Sequence, residues 1–267
     1  TANGVCRFVD QLRSGCLSIQ TFEIFERQIM GTPGHCSEMG TASTMSSLSE
    51  ALGIALAGSS LVPSSDARRS QIAKAVGRRS VAMAHGGPAP SDILDARAFD
   101  NAITLLCAVG GSTNAIIHLL ALAGRVGVPL TLDRFDDIAR RVPLIANVQP
   151  AGDYLTERLM NAGGVPALLH VLRPLLHLDA RTVDGRTIGQ IADEAQVFDA
   201  EVIRPLDAPV KPGASIVVVK GNLAPDGAVI KSCAASPALF KHRGAAVVFD
   251  DVQTLADRID DPALNID

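Results

Sequence analysis

The chain has 267 residues, of which 47% are hydrophobic and 3% aromatic, so it can bury a large core made mainly of Ala, Leu, Val and Ile. The formal charge is −4 and the single-letter sequence contains no Trp, which excludes the basic, aromatic surface typical of a nucleic-acid-binding protein. No apolar run approaches the roughly 18–20 residues of a membrane span. Five scattered cysteines indicate reduced thiols in a cytoplasmic protein.

Residues 1–31 carry two helical patterns. The first ends near Gly15, and the second begins after Ser18, which we predict to be its cap. Cys6 and Cys16 lie in or beside these helices, and their spacing does not match that of zinc ligands. We interpret them as ordinary, partly buried thiols.

The segment most suited to chemistry is residues 32–56, TPGHCSEMGTASTMSSLSEALGIAL. Its first half places Cys36 in a run of small and polar residues. Its second half repeats apolar residues at steps of three and four, which predicts a helix capped by Ser43 or Thr44. A thiolate just before a helix lies where the helix dipole and free N–H groups favour negative charge.

Residue types alone leave three interpretations of Cys36. A buried structural thiol is disfavoured by its polar neighbours. A nucleophile would use His35 as its base, but adjacent side chains on a loop generally diverge. A cluster ligand is the third, because thiolates suit iron–sulfur centres. Further ligands would then come from Cys107, Cys233 or a segment outside the chain.

Residues 65–83 predict a helix with a basic outer face. A solvated surface is the usual meaning of such a run, and steering of anions is the alternative. His85, in the Gly- and Pro-rich loop that follows, is predicted to be exposed to solvent. The basic residues of this helix are Arg68, Arg69, Lys74, Arg78 and Arg79.

A helix predicted over residues 92–108 leads into a Gly-Gly-Ser-Thr-Asn segment. The next helix, residues 115–126, is apolar nearly all round, which predicts that it is buried and that His118 is a hydrogen-bonded core residue. The polar segment between the helices can present N–H groups and hydroxyls to an anion such as a carboxylate, or can form only a turn and a cap. Its polar residues are Ser112, Thr113 and Asn114.

Short elements follow as far as residue 198, with a tight hairpin predicted around Asp184 and Gly185. They are an extended stretch at 127–132, a helix at 133–140 capped by Asp133, an extended stretch at 142–147, and helices at 154–161, 165–176 and 188–195.

The composition changes near Ala200, where prolines become frequent. Strands at 216–220, 228–233 and 245–249, before a helix at 252–259, indicate a second, β-rich domain. The sequence holds too few such strands to close a barrel, so we expect a truncated domain with an unpaired edge.

Five ordered motifs resemble the IlvD/Edd dehydratase family, which includes dihydroxy-acid, phosphogluconate and aldonate dehydratases. They are residues 34–45 with 50–53 around Cys36, residues 101–103 with 110–121, and residues 142–152, 162–167 and 221–231. The resemblance implies an α/β fold. Residues 1–198 would be the later part of a mostly helical, cluster-binding α/β domain, and residues 199–267 the start of a C-terminal β-barrel domain. We expect an internal fragment of such a protein, lacking both ends.

The resemblance also implies a reaction, the loss of water from a 2,3-dihydroxy acid to give a 2-keto-3-deoxy acid. An iron of a [2Fe–2S] cluster acts as Lewis acid on the C3 hydroxyl, and Mg²⁺ holds the carboxylate and the C2 hydroxyl. Cys36 would be one cluster ligand, whereas Cys107 and Cys233 would be structural. Candidates for the substrate pocket are His35, Ser37, Thr41, Ser112, Thr113 and Asn114.

Parts of the family pattern are missing from this sequence. Neither the Cys-Asp-Lys motif, which serves the cluster and Mg²⁺, nor the segment that carries the proposed serine base occurs in the 267 residues. We therefore assign no catalytic base to this chain and expect it to be inactive alone. The expected partners are a small polyhydroxy acid and further copies of the chain in a dimer or tetramer, without nucleic acid or membrane.

The Gly-His-Cys and Met-Gly-Thr-Ala-Ser-Thr sequences resemble the sugar-acid branch more than the branched-chain amino-acid branch. The expected substrate is therefore an aldonate such as L-arabinonate or D-xylonate, and dihydroxy-isovalerate is the alternative. Two alternatives belong to other classes: a non-catalytic assembly fragment, and a hydrolase with Cys36 as nucleophile.

Overall fold

The structure is a computed structural model that describes residues 2–28, 34–259, 261, 263 and 264. The chain divides into two compact units, Thr1–Ala234 and Ala235–Asp267. The predicted domain boundary between residues 198 and 199 stays a prediction. In the described part of the chain, no helix is both long enough and apolar enough to cross a membrane.

Helices dominate the first unit. In chain order, the helices of the described residues are α1 (Ala2–Arg13), α2 (Ile19–Gln28), α3 (Thr41–Ala51), α4 (Arg68–Ala84), α5 (Pro90–Ile93), α6 (Ala96–Ala108), α7 (Asn114–Arg125), α8 (Leu132–Ala139), α9 (Thr156–Asn161), α10 (Gly164–Leu172), α11 (Ile188–Glu194) and, in the second unit, α12 (Val252–Arg258).

Two small antiparallel sheets accompany these helices. Strand β1 (Pro143–Leu144) pairs with β2 (Lys211–Ala214), and β3 (Val217–Val219) pairs with β4 (Ala228–Ile230). Within the described residues the strands form these two sheets and no closed barrel. The predicted class, a mostly helical α/β fold followed by the start of another domain, is confirmed.

Helix α6 lies at the centre of the core. Its Phe99, Ile103 and Leu106 are completely buried, and α3, α7, α8 and α10 pack against it. From Asn101 to Ala108 every residue of α6 is buried, so this part of the helix contacts neighbours all round.

Several helix caps differ from those predicted. Helix α3 begins at Thr41 with Gly40 as its N-cap, so neither Ser43 nor Thr44 caps it. The Ser43 hydroxyl instead donates to the carbonyl oxygen of Glu38, and the Thr44 hydroxyl accepts from the N–H of Ser112. Helix α8 is capped by Thr131, which accepts a hydrogen bond from the backbone N–H of Arg134, and not by Asp133.

The helix predicted over residues 92–108 is divided into α5 and α6. The helix is interrupted at Leu94. Asp95 then caps α6 by accepting hydrogen bonds from the N–H groups of Arg97 and Ala98, at 2.9 and 3.1 Å. A short acidic side chain that satisfies the free N–H groups of a first turn is a strong start signal. The Asp95 cap therefore starts a new helix, although the apolar pattern is continuous.

Helix α7 is not buried all round, so that prediction is wrong. One face packs into the core, but Ile117 is 67% exposed and His118 is also exposed, which excludes a core histidine. The buried residues of α7 are Ala115, Ile116, Leu119 and Ala123.

Two further predictions are wrong. The stretch 245–249 forms no strand, because an apolar run without a pairing partner does not define a sheet. Cys6 and Cys16 are exposed and not partly buried.

Three predictions made from neighbouring residues are confirmed. Ser18 accepts a hydrogen bond from the N–H of Thr21 at the start of α2. The hairpin around Asp184 and Gly185 and the exposure of His85 are confirmed.

Candidate functional site

The loop that carries Cys36 runs into the first turn of α3. The Cys36 side chain is exposed. The neighbouring His35 lies with Nδ1 2.9 Å from the carbonyl oxygen of Cys36, so the ring donates to the backbone at that atom. This contact holds the imidazole against the loop and gives no support to a role for His35 as base toward the thiol.

Backbone hydrogen bonds anchor this loop at the three residues that follow the thiol. Thr156 donates from its N–H and from its hydroxyl to the carbonyl oxygen of Ser37, at 2.7 and 2.9 Å. The Ser43 hydroxyl donates to the carbonyl oxygen of Glu38 at 2.6 Å. The N–H of Met39 donates to the backbone of residue 149 at 2.8 Å. These contacts fix the backbone and leave the sulfur of Cys36 free.

A cavity of about 80 Å³ lies beside Cys36. Leu61 and Val62 give it an apolar wall. Arg69 and Glu157 contribute a cation and a carboxylate to the same space, together with the predicted pocket residues His35 and Ser37. The cavity therefore combines a thiol, both signs of charge and an apolar surface.

A second polar group joins the beginnings of α3 and α7. The hydroxyl oxygens of Thr41 and Ser112 are 2.9 Å apart, and the Asn114 amide donates to the Thr41 hydroxyl at 3.0 Å. The Ser112 N–H donates to the Thr44 hydroxyl at 3.0 Å. We call Thr41, Ser112 and Asn114 the hydroxyl cluster. Thr113 is half-buried, and its side chain does not cap α7.

The hydroxyl cluster and the Cys36 loop meet at the first turn of α3. Thr41 belongs to the cluster, while Ser43 in the same turn holds the loop. The positive ends of two helix dipoles, those of α3 and α7, are thus placed together. These residues belong to separate sequence motifs, and the structure places them side by side.

Close packing explains the paired glycines before Ser112. A Cβ on Gly111 would lie 2.6 Å from Leu106 Cδ1 and 2.7 Å from Thr44 Cγ2. Gly110 has φ +54°, and a Cβ there would lie 2.9 Å from Leu144 Cδ1. Gly111 thus allows the loop to approach α3, and Gly110 allows it to approach Leu144 of β1.

A buried carboxylate supports the cavity wall. Glu50 accepts hydrogen bonds from the N–H groups of Gly58 and Ser60, at 2.7 and 2.8 Å, and so fixes the loop that leads to Leu61 and Val62. Burial raises the pKa of Glu50 above 4.5, although these hydrogen bonds oppose the shift.

The other cysteines of the core are chemically different from Cys36. Burial raises the pKa of the Cys107 thiol to about 12 and also raises the pKa of Cys233. In the part of the chain that the structure describes, no three His, Cys, Asp or Glu side chains come together as a metal site. Cys107 and Cys233 therefore do not complete a ligand set around Cys36 there.

Sequence reasoning missed four residues of the site. Thr156, Arg69 and Glu157 face the Cys36 cavity, and Glu50 supports it from behind. Nothing local in the sequence distinguishes Thr156, which is 119 positions from Ser37. The motif that contains Glu50 was recognised, but its buried carboxylate was not.

Comparison with known proteins identifies the family of the chain. Residues 1–191 match the family described as dihydroxy-acid/6-phosphogluconate dehydratase N-terminal, and residues 201–267 match the corresponding C-terminal family. The chain belongs to the dihydroxy-acid/6-phosphogluconate dehydratase family. The predicted resemblance is confirmed, and members of this family are hydro-lyases.

Individual relatives span several substrates. The chain is 44% identical to an L-arabinonate dehydratase of Rhizobium leguminosarum bv. trifolii, over 98% of the chain and 45% of the relative. It is 46% identical to a dihydroxy-acid dehydratase of Ignicoccus hospitalis, over 84% and 41%. It is 39% identical to a 6-deoxy-6-sulfo-D-gluconate dehydratase of Pseudomonas putida, over 97% and 45%. The chain thus spans about half the length of the relatives it matches.

Proposed function

We propose that this chain forms part of a [2Fe–2S]- and Mg²⁺-dependent hydro-lyase that converts an aldonate to a 2-keto-3-deoxy acid. The observation that carries the proposal is the exposed thiol of Cys36, held on an anchored loop beside a charged cavity and the hydroxyl cluster. A polyhydroxy acid needs many hydrogen-bonding partners and a place for its negative charge. The polar residues around Cys36 suit both requirements.

The residues present fit one ligand position of an iron–sulfur cluster. Cys36 offers a thiol that is accessible, whereas Cys107 and Cys233 are buried, and thiolates are the usual protein ligands of such clusters. When bound, the cluster supplies a Lewis acid for departure of a hydroxyl, and Mg²⁺ supplies a site for the carboxylate.

The residues of the chain itself would bind and orient the substrate. The hydroxyl cluster can exchange its internal hydrogen bonds for bonds to substrate hydroxyls, since Ser and Thr hydroxyls both donate and accept. His35 and Ser37 would contact the part of the substrate nearest Cys36. Thr113 completes the set as a half-buried hydroxyl at the same turn. We assign no proton transfer to a residue of this chain.

A dihydroxy-acid dehydratase of branched-chain amino-acid synthesis is the second candidate. Leu61 and Val62 form an apolar wall of the cavity that a branched hydrocarbon tail could contact, and the Ignicoccus hospitalis relative has this name. The similarity to an L-arabinonate dehydratase supports the first candidate. Assembly as a dimer or tetramer and a cytoplasmic location stay predictions.

A comparison of three substrates tests the proposal. The protein that carries this chain, with any flanking sequence encoded with it, is reconstituted with iron, sulfide and Mg²⁺. It is then assayed for 2-keto acid from L-arabinonate, D-xylonate and 2,3-dihydroxy-isovalerate. We expect the highest kcat/KM with an aldonate and loss of both iron and activity in Cys36→Ser. A preference for the branched-chain acid would select the second candidate, and activity without iron would reject both.

A further inference from the structure

Two adjacent arginines at the start of α4 have different surroundings. Arg68 is paired with Asp66, with Nε and Nη2 at 2.9 and 2.6 Å from the two carboxylate oxygens. The ion pair lowers the pKa of Asp66 to about 2 and raises the pKa of Arg68. The charge of Arg68 is therefore already balanced inside the protein.

Arg69 has no such partner. It is half-buried, and Nη1 donates to the carbonyl oxygen of Ser59 at 3.3 Å. Among the ion pairs of the described residues, none involves Arg69, whereas Arg68 takes part in one. This backbone contact orients the guanidinium without neutralising it, and the charge of Arg69 also contributes to the lowered pKa of Asp66.

The side chain of Arg69 lines the cavity beside Cys36. Ser37 and Glu157 line the same space. A guanidinium presents a planar fork of donors that matches the oxygens of carboxylates, phosphates and sulfonates. Glu157 can accept hydrogen bonds from hydroxyl groups. A cation and a carboxylate in one cavity thus match a molecule that carries both an anionic group and hydroxyls.

We propose that Arg69 is a substrate-binding residue that binds an anionic group of the sugar acid in the Cys36 cavity. The proposal rests on the proposed function. The anionic group is either the carboxylate that every aldonate carries or a terminal phosphate or sulfonate. Of the two neighbouring arginines, Arg69 alone combines a place in this cavity with a charge that no carboxylate of the described residues pairs with.

The first test compares Arg69→Met, Arg69→Lys and Arg68→Met in the reconstituted protein that carries this chain. We expect Arg69→Met to raise KM about 10- to 100-fold, as for the loss of a charged hydrogen bond. Arg69→Lys should be intermediate because it keeps the charge without the fork. Arg68→Met removes a neighbouring arginine from outside the cavity and should change KM by no more than about fivefold, as for an exposed ion pair.

Two substrates distinguish the anionic groups. L-arabinonate has one anionic group, and 6-phosphogluconate has two. An equal rise in KM for both in Arg69→Met assigns Arg69 to the carboxylate, and a rise for 6-phosphogluconate alone assigns it to the terminal group. An unchanged KM for both, an equal effect of Arg68→Met, or a fall in kcat without a change in KM overturns the inference. If the unsubstituted protein converts neither of these acids nor D-xylonate, the proposed function fails instead.

A second test uses the 267-residue chain without a cluster. Alkylation of Cys36 by iodoacetamide is followed by mass spectrometry with and without 6-phosphogluconate. We expect the acid to slow alkylation in the unsubstituted chain and in Arg68→Met, but not in Arg69→Met. Equal protection in all three chains, or protection in none, contradicts binding at Arg69.

Discussion

Thr156 donates two hydrogen bonds to the same atom, the carbonyl oxygen of Ser37, although the two residues are 119 positions apart. The N–H and hydroxyl distances are 2.7 and 2.9 Å. Because Ser37 follows Cys36 directly, this double contact connects the start of α9 to the backbone beside the thiol.

Replacement of Thr156 by Val should loosen the Cys36 loop. The variant keeps the shape of the side chain and the N–H bond but loses the hydroxyl bond, at a cost of about 1 kcal/mol in unfolding free energy. We expect faster alkylation of Cys36 by iodoacetamide, measured by mass spectrometry, and slightly lower stability in urea.

Thr104→Val is the matched control for this prediction. The Thr104 hydroxyl also donates to a backbone carbonyl, that of Asp100, at 2.8 Å, and Thr104 is similarly buried. It should lose similar stability without a change in the alkylation rate of Cys36. Equal rates in both variants would show that Thr156 does not restrain the loop.

The five cysteines should divide into two groups on alkylation at about pH 8. Cys6, Cys16 and Cys36 are exposed and should react in the native chain. Cys107 and Cys233 should not, because both are buried and burial raises the pKa of each, to about 12 for Cys107. Peptide mapping in and out of urea checks this division. Native labelling of Cys107 would refute the packing around α6.

Glu50→Gln should lower stability and change its dependence on pH. Gly58 and Ser60 donate to different oxygens of Glu50, and a carboxamide replaces one of these acceptors with an NH2 donor, which costs about 1–3 kcal/mol. Since burial raises the pKa of Glu50 above 4.5, the folded state binds its proton more tightly than the unfolded chain does. The contribution of Glu50 is therefore largest at low pH and declines as the pH rises through the folded pKa.

Urea unfolding of the wild type and Glu50→Gln across this range measures the effect. The stability advantage of the wild type should increase as the pH is lowered from neutrality toward 4.5. Glu157→Gln removes an exposed carboxylate of the same region and serves as the comparison. A constant difference between the wild type and Glu50→Gln would mean that the buried carboxyl does not take up a proton in that range.

Alanine at two glycines should have opposite effects on stability. Gly111→Ala would place a Cβ within 2.7 Å of Leu106 and Thr44, and the overpacking should cost about 1–3 kcal/mol. Gly124 lies in α7 with open space around it, so Gly124→Ala should stabilise by up to about 1 kcal/mol. Thermal unfolding of both variants tests this, and a neutral Gly111→Ala would contradict the close approach of α3.

The sequence correctly predicted features that depend on neighbouring residues. Predictions were wrong where contacts with residues distant in sequence determine the structure. The Ser18 cap and the Asp184 hairpin are local and were correct. Thr44 has the residue type of a cap, but its hydroxyl accepts from Ser112, which no local pattern reveals. His118 lies among apolar residues of α7, yet its face of the helix is exposed.

The candidate site follows the same rule. Cys36 and the polar residues around it were recognised because they occur in short motifs. Arg69 and Glu157 were not connected with Cys36, since only the fold brings α4 and α9 to the cavity. An arginine in a basic run is ordinarily a surface residue. The structure distinguishes the two arginines, because Arg68 forms an ion pair with Asp66 and Arg69 does not.

The pairing of β1 with β2 has a consequence for dividing the gene. Pro143 lies in the part that matches the N-terminal family, and its partner Ala214 lies in the part that matches the C-terminal family. A chain cut between residues 191 and 201 would thus separate two strands of one sheet, both of which lie in the compact unit that ends at Ala234. The boundary between the two family matches is therefore a poor place to divide the protein. Each of the two fragments would contain only one strand of this sheet, and the fragments would have to associate to restore it.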